Sequence, residues 1–171
     1  MKTKLVTTFI LMLLMVFNQT LKAQNEKIQT AFIFQLTRLV EWCPSGKQGN
    51  FTIGVLGDDA ALFAELNSLQ GRKVVEQSIV IKKLNSASEV GNANIVFVSK
   101  SKIGELDAVI SKIGSNCTLI ISDKAGAAKQ GAAISFIDEG GKIQFEVNRA
   151  YADKYSLKMN DQLIKLAKNV F

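Results

Sequence analysis

Residues 51–66, Phe-Thr-Ile-Gly-Val-Leu-Gly-Asp-Asp-Ala-Ala-Leu-Phe-Ala-Glu-Leu, decide how this chain folds. The run Phe51 to Leu56 is six residues long and apolar at nearly every position, as a strand buried on both faces must be. Gly57 breaks it. Asp58 and Asp59 are N-cap candidates, and Leu62, Phe63 and Leu66 then recur at helical spacing, so the unit reads strand, turn, helix. The pattern returns downstream. Ser78–Lys82, Asn94–Val98 and Thr118–Ile121 are predicted strands, and Ile103–Ile113 is a predicted helix. Apolar strands alternating with helices imply a parallel sheet covered on both faces.

Working outward, Lys27 to Trp42 reads as an amphipathic helix burying Ile28, Ala31, Phe32, Leu36, Leu39, Val40 and Cys43, and stopped by Pro44 and Gly46. Towards the other end, Ala133–Asp138 and Lys142–Asn148 alternate residue by residue and are joined by Gly140-Gly141, a pair suited to a tight hairpin turn. Ile143, Phe145 and Val147 are assigned to the inner face, and Gln144, Glu146 and Asn148 to the outer one. Helices over Arg149–Tyr155 and Asp161–Val170 complete the chain, the second burying Leu163, Ile164, Ala167 and Val170. The expected architecture is α/β: a single three-layer domain over residues 24–171, with a mostly parallel sheet flanked by helices and a C-terminal antiparallel hairpin.

Residues 1–23 have the form of a secretory signal peptide: Lys2 and Lys4, an apolar run from Leu5 to Phe17, and a small residue, Ala23, before Gln24. The run is shorter than the roughly 20 residues of a membrane span, so no membrane insertion is expected. With Cys43 and Cys117 as the only cysteines, neither at the boundary, no lipid anchor is expected either. Lys2, Lys4 and Lys22 lie in this leader, so the 21 basic and 15 acidic residues of the whole chain leave a balance of only +3 for the remainder. Such a charge does not argue for nucleic acid. Lys158, Lys165 and Lys168 are read as a solvated helix face.

The sequence contains no histidine, which removes imidazole bases, histidine triads and histidine metal sites. Two cysteines 74 positions apart do not make a zinc motif, and neither metal nor cofactor is expected. Gly54-Val55-Leu56-Gly57 lacks the third glycine of a dinucleotide fingerprint, and the segment from Gly126 to Gly131 lacks the lysine and hydroxyl ending of a phosphate loop. Both are read as turns. In an exported chain Cys43 and Cys117 could form a disulfide, both lying at the amino-terminal edge of the sheet; two buried free thiols are the other reading.

Several ordered segments carry a family likeness. Ala31-Phe32-Ile33-Phe34, Arg38-Leu39-Val40-Glu41-Trp42, Ile53-Gly54-Val55-Leu56-Gly57, Asn94 to Ser99, Ile121-Ser122-Asp123 and Ile143 to Asn148 resemble the YfiR family of exported regulators in order and spacing. The resemblance implies a periplasmic protein, not an enzyme, that binds the periplasmic part of an inner-membrane diguanylate cyclase and represses it, with cyclic-di-GMP and biofilm growth as the output. It also implies a partner choice between such a cyclase and a membrane sensor kinase, with a homodimer as the self-association to test. Cys43 separates Trp42 from Pro44 where the family has the two adjacent, and Gly54 and Ala93 stand where some members have cysteines.

Two surfaces follow as expectations. Phe34, Arg38, Glu41 and Trp42 are placed on one outward helix face as a partner-binding site, with Arg38 able to stack on Trp42; in the alternative, Trp42 caps the core and Arg38 pairs with Glu41. A ligand crevice at the carboxyl ends of the strands would draw on Asp58, Asp123, Glu146 and Asn148. It suits a small-molecule binding module feeding a membrane sensor kinase.

Overall fold

The computed structural model describes residues 24–171, so the leader expected at residues 1–23 lies outside the described residues. Helix α1 (residues 24–39) leads into strand β1 (Val40–Glu41), a 3-10 turn (Pro44–Lys47), β2 (Phe51–Leu56) and α2 (Ala60–Asn67). A hairpin of β3 (Lys73–Val74) and β4 (Gln77–Leu84) follows, then β5 (Ile95–Val98), α3 (Leu106–Ile113) and β6 (Leu119–Ser122). The chain ends with β7 (Ile134–Glu139), β8 (Lys142–Val147), α4 (Arg149–Lys154), β9 (Lys158–Met159), α5 (Asp161–Leu166) and β10 (Asn169–Val170).

Eight strands form one sheet in the order β10-β8-β7-β6-β5-β2-β4-β3, and β1 pairs with β9 in a separate two-stranded sheet. The central five, β4-β2-β5-β6-β7, are parallel, whereas β3 runs antiparallel to β4 and β8 antiparallel to β7. From β2 the chain steps to one side, to β4, and from β5 to the other, to β6 and β7. Right-handed crossovers therefore put α2 and α3 on opposite faces of the sheet. Every residue of β5 and β6 is buried, which is why these strands read as continuous apolar runs. At the carboxyl ends of β2 and β5 the two loops meet at Gly57, where an added Cβ would lie 2.4 Å from Ser99 Cβ. Only glycine fits there.

The expected hairpin forms, with Glu139 opposite Lys142 and Phe136 opposite Phe145, and with Gly140 and Gly141 at φ 62° and 83° as a type I′ turn requires. Its faces differ from expectation in one respect. Glu146, assigned outward, is buried.

The first helix also departs from its predicted form. It begins at the first described residues and stops at residue 39, because Val40 and Glu41 leave it to pair with Met159 and Lys158. Its buried line runs through Glu26, Thr30, Ile33, Leu36 and Thr37, whereas Ile28 is exposed. Hydropathy periodicity misplaced the stripe because two threonines and a glutamate sit on the inner side. Thr37 is tolerated there because its Oγ1 donates to the Phe34 carbonyl at 2.7 Å. Phe32 spans the helix and the hairpin, with ring centroids 5.5 Å from Phe136 and 4.4 Å from Phe145.

The C-terminal helix is likewise shorter than predicted. It ends at Leu166 and buries Leu163, while Val170 is exposed. Asn169–Val170 instead runs parallel beside β8, with Lys168 N–H donating to Phe145 O at 2.8 Å and Phe171 N–H to Val147 O at 2.9 Å. The outer edge of β8 presents backbone groups that need partners, and this segment supplies them.

Cys43 and Cys117 are joined by a disulfide, with Cα atoms 6.1 Å apart. Strand order explains the meeting. Cys43 precedes β2 and Cys117 precedes β6, with β5 between them; the 3-10 turn carries Cys43 across that gap. Asn94, just before β5, holds the turn by donating to Gly46 O at 2.7 Å and accepting from Thr52 N–H at 2.9 Å.

Candidate functional site: a groove beside β3 and a crevice at the strand ends

A concavity of about 1010 Å³ lies between the end of α1 with β1, the β3–β4 hairpin, and β9. Arg38, Glu41 and Trp42 all line it. Trp42 is the anchor of the wall rather than an outward side chain. It is 5% exposed, packs edge-on against Phe51 at 5.0 Å, and donates from Nε1 to Thr37 O at 3.3 Å. The expected Arg38–Trp42 stack is not formed, because the chain leaves the helix before Trp42. Arg38 lies 5.0 Å from the centroid of Phe34 instead, and Arg72, from the loop after α2, lies 4.0 Å from the same ring. Glu41 pairs across the small sheet with Lys158 at 3.7 Å, not with Arg38.

The opposite wall was not legible as a site. Lys73, Val74, Val75, Glu76 and Gln77 form a tight hairpin whose tip carries Val75, 88% exposed and at φ 54°. A β-branched residue seldom takes that conformation. Gln77 fastens the hairpin to the 3-10 turn by donating to Gly46 O (3.3 Å) and Gln48 O (3.2 Å).

A second, smaller crevice of about 350 Å³ opens where the chain reverses between β2 and β5, the usual ligand position in open α/β sheets. Asp59, Lys100 and Asp123 line it from below, the first turns of α1 (Asn25, Glu26, Gln29) from above, and Asp138 from the hairpin. Asp123 accepts the Lys100 backbone N–H. Burial raises its pKa, against the lowering effect of that bond and of the Lys100 charge.

Of the four residues expected to form the crevice, only Asp123 does so. Asp58 is exposed and does not line the cavity, while its neighbour Asp59 does, and also caps α2 by accepting from Ala61 and Leu62 N–H. Glu146 lies elsewhere and accepts hydrogen bonds from Gly126 N–H (3.0 Å), Ser135 Oγ (2.9 Å) and Asn169 Nδ2 (3.0 Å). Burial pushes its pKa up, but these bonds and the Lys129 charge outweigh it and the carboxyl falls below its usual value. Asn148 caps α4 by accepting from Tyr151 N–H and donates to Ala128 O. Both residues tie the hairpin to the loop before β7, and neither lines this crevice. Among the described residues no cluster of potential ligands could hold a metal ion, and no helix is long and apolar enough to cross a membrane.

This strand order, with the reversal between β2 and β5, defines an open, doubly wound α/β protein of flavodoxin-like order extended by an antiparallel hairpin. Two solved structures share the fold. One, the ABC domain from Streptococcus pneumonia in complex with L-Trp, superposes with a TM-score of 0.55 at 12% identity, over 80% of this chain and 58% of its own. The other, a conserved domain protein from Vibrio cholerae O1 biovar El Tor, gives 0.53 at 12% identity, over 85% and 60%. This chain thus spans less than two thirds of either. No curated protein matches the sequence. The chain belongs to the YfiR/HmsC-like family, whose model matches residues 26–168. Members of that family are periplasmic regulators rather than enzymes.

Proposed function

We propose that this protein is exported through a cleaved leader to the periplasm, binds the periplasmic part of an inner-membrane diguanylate cyclase, and represses it, so lowering cyclic-di-GMP and biofilm growth. The observation that carries the reading is the groove. It sets Arg38 and Glu41, over a wall anchored by buried Trp42, against a strained, exposed Val75, and an arginine beside exposed apolar surface is what protein-contact centres use. Contact, not catalysis, is then the mode of action. The test is repression in cells: the protein is co-produced with a candidate membrane diguanylate cyclase that carries a periplasmic domain, and cyclic-di-GMP is measured. Arg38→Glu should restore cyclase output to the level seen without the regulator while leaving the folded protein at native abundance. Unaltered repression by that variant would remove the groove from the interaction.

The crevice favours a second reading, a small-molecule binding module feeding a membrane sensor kinase, because Asp59, Asp123 and Lys100 converge at the chain reversal. Asp123→Asn would then abolish the response of the sensor without weakening repression of a cyclase.

A further inference from the structure

The groove beside β3 is bounded by an open strand edge. Strand β3 is the last in the eight-stranded order, with β4 on one side and, among the described residues, nothing paired on the other. The phase of its hydrogen bonding is fixed by Ile79 N–H donating to Arg72 O at 2.8 Å, and by the two-residue connection, Val75-Glu76, between the paired Val74 and Gln77. In an antiparallel pair the hydrogen-bonded positions alternate. Arg72, through its C=O, and Val74 therefore face β4, while the Arg72 N–H donates to Leu69 O at 3.0 Å; Lys73, opposite Ser78, turns its N–H and C=O to the open side. A free N–H and C=O at a sheet edge is a template for another strand.

Three further features say what kind of strand. The cavity, about 1010 Å³, lies at the upper end of the roughly 300–1,000 Å³ range of ligand pockets and has room for a length of extended chain. Val75 holds a position in the turn that glycine occupies without strain, yet it is 88% exposed at the groove mouth, where only an apolar contact uses it. The lining charges also lean one way. Glu41 is taken up by Lys158, leaving Arg38, Lys47 and Lys73 against Glu76 and Asp161, and neither Lys47 nor Lys73 makes an ion pair with a described residue.

We propose that the groove receives an extended segment of the partner protein, carrying carboxylates and at least one apolar side chain, which adds as a strand to the open edge of β3 through the backbone of Lys73. The inference rests on the regulator reading above and names the chemistry of the partner. The added strand would bring an apolar side chain against Val75 and carboxylates to Lys47 and Lys73. Main-chain pairing then supplies the common part of the affinity and the side chains supply the choice of partner.

The probe is a fluorescein-labelled eight-residue peptide of alternating glutamate and valine, titrated by anisotropy with the mature protein at low salt. A lysine and valine peptide is the control. The glutamate peptide should bind and weaken as salt rises, and the lysine peptide should bind at least tenfold more weakly. Lys73→Pro removes the outward N–H without touching a bond to β4, and it should cut peptide affinity at least tenfold with a native melting curve. Should that variant fail to fold, amide exchange in the native protein answers the same question, since the Lys73 N–H should slow at least tenfold with peptide bound. Unbound glutamate peptide, equal affinity for both peptides, native affinity in folded Lys73→Pro, or unchanged exchange at Lys73 would each overturn the proposal. A concentration-dependent dimer abolished by Lys73→Pro would overturn it too, giving the edge to a second copy of this chain. Failure here is separable from failure of the regulator reading: cyclase repression that survives Lys73→Pro but is lost in Arg38→Glu refutes strand addition and keeps the regulator.

Discussion

Replacing Trp42 by alanine removes an indole that is 5% exposed, packed edge-on against Phe51 at 5.0 Å and hydrogen-bonded through Nε1 to Thr37 O at 3.3 Å. Truncation of a buried tryptophan costs about 3–5 kcal/mol in lost transfer free energy and residual cavity. The acceptor at Thr37 O also loses a partner, at about 1 kcal/mol. The total, roughly 4–6 kcal/mol, is a large share of the 5–15 kcal/mol typical of a domain. At about 2–4 °C per kcal/mol for a chain of this size, the melting temperature should fall by about 8–24 °C. Trp42→Phe keeps most of the packing and should recover more than half of that loss. The assay is thermal unfolding of the mature protein followed by circular dichroism, beside a cyclic-di-GMP readout at a temperature where the variant is still folded. A fall of less than about 3 °C, with repression abolished, would refute the packing argument and return Trp42 to the surface as a partner contact.

Three other outcomes follow from the structure. The disulfide closes a loop of 74 residues, so reduction should destabilise the fold by about 4–5 kcal/mol in the chain-entropy model; alkylation of the unfolded, unreduced protein should label no thiol, and labelling of two would overturn the bridge. Glu146 has a lowered pKa in the folded state, so its contribution is fully present above its ordinary value of 4.5 and is lost as pH falls through the lowered folded value. Glu146→Gln should lower the urea midpoint at pH 7 and flatten the acid limb, and an unchanged limb would show that another carboxylate governs it. Mass spectrometry of a periplasmic extract should find a product beginning at Gln24, whereas uncleaved protein in the membrane would end the export reading.

The central layers of this protein were legible in its sequence for a local reason. A strand buried on both faces must be apolar throughout, and β2 was read with its observed ends, Phe51 and Leu56, while the glycine pair at 140–141 announced a turn whose backbone tolerates little else. Tertiary structure decided the rest through pairing between distant segments. β1, β3, β9 and β10 are two residues each, too short for any periodicity, and exist because a neighbour's backbone groups needed partners. The pairing of Val40 with Met159 ends the first helix early, turns Trp42 into the core, and makes one wall of the groove. Which of two adjacent aspartates faces the crevice depended on which one capped α2. Hydropathy alone could not distinguish Asp58 from Asp59, because the choice lies in backbone geometry rather than in composition.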